Sequence, residues 1–280
     1  NTGGVSCTTD TTQILDAGTT QSTALYRFED NSYDTSESTG KFGKGASFDG
    51  YNSAIDVNNV SGLNSLTEIS VSLWFNWDDS TSVSNYNHMV NIGDMTNVGN
   101  GDAFGIAIGD DGGSYNRVLY GYFPEGSSST GQTVTANTWH HVVITYSGTT
   151  VKYYYDGSLI ATQTKTALSL PSSGNGIFIG HYKYNGNHHF KGFLDQIRIF
   201  NKEISSSEVT TLYNETTSTV NTLQVLGDTS CIAAYTFEGN ANDLSTNYNG
   251  TASNVRYDYS GTASNITYAT GKFGKAAVFN

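Results

Sequence analysis

The sequence predicts an all-β chain, a two-sheet antiparallel sandwich of the jelly-roll kind, and three observations carry that expectation. Short runs alternate apolar and polar residues with a period of two, the pattern of strands buried on one face. Turn clusters rich in glycine separate them, as at Gly109-Asp110-Asp111-Gly112-Gly113. Helical periodicity is almost absent, which leaves sheets to build the core.

The alternating runs are Ile69–Phe75, Phe104–Ile108, Val142–Tyr146, Val151–Tyr155, Leu159–Thr164, Ile177–Ile179 and Phe193–Phe200. Asp156-Gly157 between two of them predicts a type I′ hairpin, because both residues tolerate a positive φ. One helix is expected at about 206–214. There Ser205 and Glu208 form a capping box in front of Val209, Leu212 and Tyr213. It follows the last strand and closes the domain.

Composition narrows the function. The 280 residues carry 13 Lys plus Arg against 25 Asp plus Glu, a net charge of −12. Nucleic acid is therefore not an expected partner, since phosphate binding needs clustered cations. Charged residues make up 14% of the chain, against roughly 25% in an ordinary domain. Ser, Thr, Asn and 31 Gly supply the polar surface instead, a style common outside the cell. The 19 Tyr give the chain enough apolar mass to order a core. No apolar run approaches the roughly 18 residues that span a bilayer, so the chain is not expected to be membrane-embedded. It opens on Asn1 rather than Met, as in a mature product, a fragment or a stretch of a longer polypeptide. Cys7 and Cys231 permit one disulfide and no four-cysteine zinc site.

An internal repeat organises the chain. Ala24-Leu25-Tyr26-Arg27-Phe28-Glu29 returns as Ala233-Ala234-Tyr235-Thr236-Phe237-Glu238, and Gly40-Lys41-Phe42-Gly43-Lys44 returns as Gly271-Lys272-Phe273-Gly274-Lys275. Between these landmarks the second copy is longer by a local duplication, 248–258 followed by 259–269. The expected organisation is a linker over 1–22, a sandwich over 23–216, a linker over 217–231 and the first part of a second repeat over 232–280. Early strands alone cannot close a sandwich. Downstream sequence or a neighbouring subunit is therefore expected to complete 232–280, the first domain's own sheets being full.

The ordered set Ser47-Phe48-Asp49-Gly50, Ile69 to Phe75, Trp139-His140-His141-Val142-Val143, Tyr153-Tyr154-Tyr155-Asp156-Gly157, Ile177-Phe178-Ile179-Gly180, Gly192 to Phe200 and Glu208 to Tyr213 resembles the concanavalin A-like lectin/glucanase superfamily. The nearer match is its laminin-G-like branch, in full over 23–216 and in part over 232–280. The resemblance implies a two-sheet jelly roll of the kind found in extracellular adhesins, accessory modules of secreted enzymes and phage tail or fibre proteins. It implies a non-enzymatic lectin-like module for recognition or adhesion at the cell exterior or virion surface. Its partners would be a glycan or cell-surface protein, with neighbouring subunits or further repeats of the chain. Two other readings stay open: a purely structural self-assembling appendage repeat, and an accessory carbohydrate-binding module of a secreted glycan-degrading enzyme.

The family also implies Ca²⁺ at one rim, with Asp102 at the head of its strand as the ligand. Asp94, Asp110 and Asp111 lie near it, and Asn185 or Asn187 and nearby carbonyls would add oxygens. Sugar binding without metal needs exposed aromatics with amide or carboxylate neighbours, for which Tyr115, Asn116, Tyr182, Tyr184, Asn185, His188 and His189 are the candidates. His181, His188 and His189 otherwise read as solvated loop histidines. His140 and His141 are consecutive, point to opposite faces and read as structural, and Trp74 and Trp139 read as packing. Asp195 is expected to meet Arg198 or a turn amide. Catalysis is not expected: no strand spaces two carboxylates on one face as a glycosidase needs, Glu29 and Asp30 are adjacent, and Glu203 and Glu208 flank the helix. Because chains of this family enter and leave on neighbouring strands, Cys7 and Cys231 are a candidate disulfide pair.

Overall fold

The computed structural model describes residues 40–42, 45–58, 60, 63–79, 86–93, 103–109, 117–123, 125–170, 176–182, 188–215, 226, 230–235, 243–245, 247–253, 267–270 and 275–278. In chain order the strands are β1 (Ala46–Asp49), β2 (Ala54–Asn58), β3 (Glu68–Trp77), β4 (Tyr86–Gly93), β5 (Ala103–Gly109), β6 (Val118–Phe123), β7 (Gly126–Thr133) and β8 (Trp139–Ser147). They continue as β9 (Thr150–Tyr155), β10 (Ser158–Thr164), β11 (Gly176–Ile179) and β12 (Lys191–Phe200). After the helix α1 (Ser206–Tyr213) come β13 (Cys231–Tyr235), β14 (Thr251–Ser253), β15 (Thr267–Thr270) and β16 (Lys275–Val278).

Two antiparallel sheets face each other. The first runs β1-β12-β3-β8-β9-β10, with β13 also on β12, and the second runs β14-β2-β11-β4-β5-β6-β7. The alternation read from the sequence becomes a two-sided core. Val71, Leu73 and Phe75 of β3 and Ile144 and Tyr146 of β8 meet Val90 and Ile92 of β4 and Phe104 and Ile106 of β5 in one buried cluster. Asp156 and Gly157 take φ of 46° and 78°, the two positive values of a type I′ turn. A Cβ on Gly157 would press on the Tyr213 ring, so the hairpin tip seats the end of α1.

The helix has the capping box expected. The Ser205 hydroxyl accepts from the Glu208 amide, and the Glu208 carboxylate accepts from the Ser205 amide at 2.7 Å. Val209 and Leu212 then bury against Val143, Tyr154, Phe200 and Ile204 on the outer face of the first sheet. Removing the cap by Ser205→Ala is expected to lower stability by about 1 kcal/mol. A urea unfolding midpoint that does not move would overturn this.

β4, β6 and β7 were not among the runs read from the sequence. The serine- and glycine-rich β7 has no apolar alternation, and its ladder with β6 alone makes it a strand. In β12 the register slips between Asp195 and Arg198, and Gln196 adopts a φ of 49°, the signature of a bulge. Asp195 there accepts from the Phe42 amide at 3.0 Å and the Gln196 amide at 2.7 Å. The backbone-amide alternative for Asp195 is the one observed, and Arg198 pairs with Glu215 instead, Nη1 lying 2.8 Å from Oε2.

The expectation that downstream sequence or another subunit completes 232–280 needs correction for the two described strands at 231–235 and 251–253. β13 pairs with β12 and β14 pairs with β2, so residues 231–235 and 251–253 each extend one of the two large sheets. The reason is length. β1 covers only Lys191 to Leu194 of β12, and β13 takes the free edge beyond, from Ile197 to Phe200. The remaining strands, β15 and β16, pair with each other.

Candidate functional site

The two outer sheet faces differ in what covers them. On the first sheet α1 fills the space above β12 and β8. Trp74 stacks on Tyr213 with ring centroids 5.6 Å apart, and Trp139 packs at the same cluster. His141 lies here too, its Nε2 2.9 Å from Ser72 Oγ. His140 points the other way, against Phe75 and Tyr155, with Nδ1 2.8 Å from Asp156 Oδ2. The packing roles expected for the tryptophans and this histidine pair are the ones seen.

On the second sheet the outer face carries an aromatic cluster on a floor of small residues. Phe104, Ile106 and Ile108 of β5 belong to the core, so alternation turns Gly105, Ala107 and Gly109 outward. Across the ladder Asn91, His88 and Tyr86 of β4 pair with those three on one side, and Tyr122 and Tyr120 of β6 pair with Gly105 and Ala107 on the other. The glycines are needed there. A Cβ on Gly105 would collide with the Asn91 side chain, and one on Gly109 with the Tyr86 ring. The result is a shallow trough filled by tyrosine and histidine rings: its floor, His88 and Asn91 are buried, while Tyr86, Tyr122, Tyr182 and His188 stand half-buried at the surface.

Tyr182 and His188 cap this trough. Tyr182 stacks on His88 at 4.7 Å and 22°, and His188 meets both Tyr86 and His88 at 5.8 Å. Tyr122 closes on His88 from the β6 side at 4.3 Å. Hydrogen bonds hold the cap: His88 Nδ1 lies 3.0 Å from Asn91 Oδ1, and the Asn91 amide donates to the His181 carbonyl at 2.8 Å. Burial pushes His88 down to about 3, so its ring is neutral at physiological pH. Burial likewise raises the Tyr122 phenol, with Tyr86 and Tyr182 adding to the shift.

His181 and His189 are not solvated, contrary to the loop reading. They form an antiparallel bridge at the base of the loop and stack at 5.7 Å. His181 Nε2 lies 2.6 Å from Asp56 Oδ1, and His189 Nδ1 lies 3.3 Å from the Ser53 carbonyl. Both are buried, because these bonds hold the two histidines against β2 and the turn before it. Beside Ser53 the β1–β2 turn presents Tyr51, which is 73% exposed. Asp49 Oδ1 fixes that turn by accepting the amides of Tyr51, Asn52 and Ser53.

Of the sugar-binding candidates, the structure brings Tyr182 and His188 into the trough and puts His189 at its anchor. Tyr115, Asn116, Tyr184 and Asn185 lie outside the described residues, as do the metal candidates Asp102, Asp94, Asp110, Asp111 and Asn187. Among the described residues no group of three or more His, Cys, Asp or Glu comes together to hold a metal. Glu203 and Glu208 are engaged by Lys152 and Lys202, each at 2.7 Å. Cys7 also lies outside the described residues, and the Cys231 thiol is buried and pushed up to about 12, chiefly by that burial.

Sequence reading missed Tyr86, His88, Tyr120, Tyr122 and Tyr51. The signal for two of them was present. Leu119-Tyr120-Gly121-Tyr122-Phe123 alternates as a strand does, with Leu119 and Phe123 inward and the tyrosines outward.

Comparison with known proteins bears on the fold. A family model described as the concanavalin A-like lectin/glucanases superfamily, Laminin_G_3, matches residues 49–210, more than half of the chain. No curated protein matches the sequence. Among solved structures, a candidate carbohydrate-binding protein from Bacteroides ovatus superposes with a TM-score of 0.59 at 18% identity, covering 77% of this chain and 59% of that one. The chain thus spans about three fifths of that relative's length. Domain 4 of AbnA, an extracellular GH43 arabinanase from Geobacillus stearothermophilus, in complex with arabinotriose, gives 0.49 at 22% identity, covering 63% and 80%. A heptameric SAP-like pentraxin from Limulus polyphemus gives 0.48 at 13%, covering 61% and 82%. With two antiparallel sheets, a closing helix and a family match running from the β1–β2 turn into α1, this chain belongs to the Laminin_G_3 family of the concanavalin A-like lectin/glucanases superfamily.

Proposed function

We propose that this chain is a non-enzymatic glycan-binding module and that the trough on the second sheet is its binding face. The observation that carries the reading is the stack of Tyr182 on a buried neutral His88, walled by Tyr86 and Tyr122, on the sheet face that the helix leaves open. Flat apolar sugar faces stack on such rings, and phenol and imidazole groups exchange hydrogen bonds with hydroxyls. The description of the Bacteroides ovatus relative as a candidate carbohydrate binder supports the same class. The internal repeat and the polar, uncharged surface favour a tandem array outside the cell, as in a surface appendage or virion fibre.

The test is a glycan array probed with the full chain, followed by calorimetry with the best binder. Tyr182→Ala and Tyr122→Ala are each expected to weaken binding at least about tenfold, the size of a stacking anchor. Leu159→Ala, at an exposed site of β10 in the other sheet, is the control and leaves affinity unchanged. Unaltered affinity in both tyrosine variants, with their melting temperatures near wild type, removes the trough as the site.

A further inference from the structure

We propose that the edge of β12 from Ile197 to Phe200 is a slot for which two segments of this chain compete: residues 231–235, which hold it in the structure, and residues 22–26. The slot has definite requirements. Ala233 and Tyr235 turn into the sandwich core, while Ala234 turns outward onto the cluster beneath α1. The strand is locked on its far side, where Asp243 Oδ1 accepts from the Ala234 amide at 2.8 Å and the Leu244 amide donates to the Ala234 carbonyl at 2.9 Å. Ser245 in turn bonds the other Asp243 oxygen. The Tyr235 hydroxyl ends on a backbone carbonyl, that of Tyr248, at 2.8 Å.

The first copy carries the same set at one constant offset. Ala24, Tyr26, Phe28, Asp34 and Ser36 stand where the second copy has Ala233, Tyr235, Phe237, Asp243 and Ser245. Leu25 replaces Ala234, an apolar residue on the face that α1 covers. The repeat therefore preserves the tyrosine, the alanine two residues before it and the locking carboxylate with its serine. Those are the groups that the slot reads.

Residues 22–26 lie outside the described residues, and the chain between them and β1 is long enough to reach the slot. Residues 22–26 precede β1 along the chain, and β1 already occupies the adjoining half of the same β12 edge, Lys191 to Leu194. A strand laid from Ile197 to Phe200 by either copy would continue that row. One edge has room for one strand. The segment left out keeps all the features for pairing with a vacant slot of the same kind.

Four full-length chains test the competition: wild type, Tyr26→Ala, Tyr235→Ala and the double variant. If either segment fills the slot, each single loss is covered by the other copy and shifts the melting temperature by less than about 3 °C. The double loss leaves a cavity under any occupant and lowers it by on the order of 10 °C. Strong non-additivity of this sign is the expected result. A drop in Tyr235→Ala, or in Tyr26→Ala, as large as in the double variant shows that one segment owns the slot and overturns the proposal. Should the double alanine chain not fold, the Tyr→Leu pair gives the same comparison with a smaller cavity. The melting temperature of Tyr235→Ala should not depend on protein concentration. A rise with concentration would assign the replacement strand to a second copy and overturn competition within one chain.

Discussion

Glu215→Ala is expected to cost about 3–5 kcal/mol at pH 8, which makes it among the most damaging single changes outside the apolar core. The reason lies in what it leaves behind. Arg198 sits on β12 with its side chain 1% exposed, beneath the segment that leaves α1, and Glu215 beside it is 2% exposed. A guanidinium does not lose its proton in a protein, so once the carboxylate is gone the positive charge stays buried and has lost the anion 2.8 Å away. The native pair itself contributes little, because desolvating both ions offsets most of their attraction. Replacing both, as in Arg198→Met with Glu215→Leu, is therefore expected to recover most of the loss. Chemical denaturation of the three variants decides the matter. A Glu215→Ala chain within 1 kcal/mol of wild type, or a double variant no better than the single, would show that the pair is not the linchpin of this face.

How much of this was legible in the sequence follows from which interactions are local. The seven alternating runs, the type I′ turn and the capped helix depend on neighbours within a few residues, and all of them form. β7 does not: it is polar throughout, and pairing with β6 makes it a strand. β13 falls where the repeat places early strands, yet its partner is fixed by how far β1 extends along β12, a fact about register. The trough follows the same rule. Tyr182 and His188 were visible as loop aromatics, whereas Gly105, Ala107 and Gly109 become a floor only when β4 and β6 flank them. Small residues on one strand carry no meaning until the neighbouring strands supply the walls.

A stability plateau between about pH 4.5 and 6.5, falling on both sides, is the second large effect expected. Four buried groups set it, and the half-buried His188, lowered by burial and by His189, adds a shallow tilt in the direction of the other histidines. Burial raises Asp195 to about 8, against the pull of its amide donors, and raises Glu215 to about 7 against the pull of Arg198. Burial lowers His88 and His141 to about 3. Above their unfolded values near 4 the two acids hold protons in the native state that the unfolded chain has released, so each makes stability fall as pH rises. The two histidines lack protons that the unfolded chain binds below about 6.5, so each makes stability rise with pH. Each group contributes a slope of up to about 1.4 kcal/mol per pH unit, and between 4.5 and 6.5 the two pairs cancel. Above 6.5 the unfolded histidines no longer bind protons, and the acids alone pull stability down until Asp195 ionises near 8. Below 4.5 the unfolded acids take up protons and the histidines alone remain. The lowered carboxyls of Asp49, Asp156 and Glu208, held down by hydrogen bonds despite burial, then steepen the fall. Melting temperatures measured from pH 3 to 9 at fixed ionic strength test the cancellation. A steady rise from pH 4 to 8 would show that Asp195 and Glu215 are ionised throughout, with their amide and guanidinium partners outweighing burial.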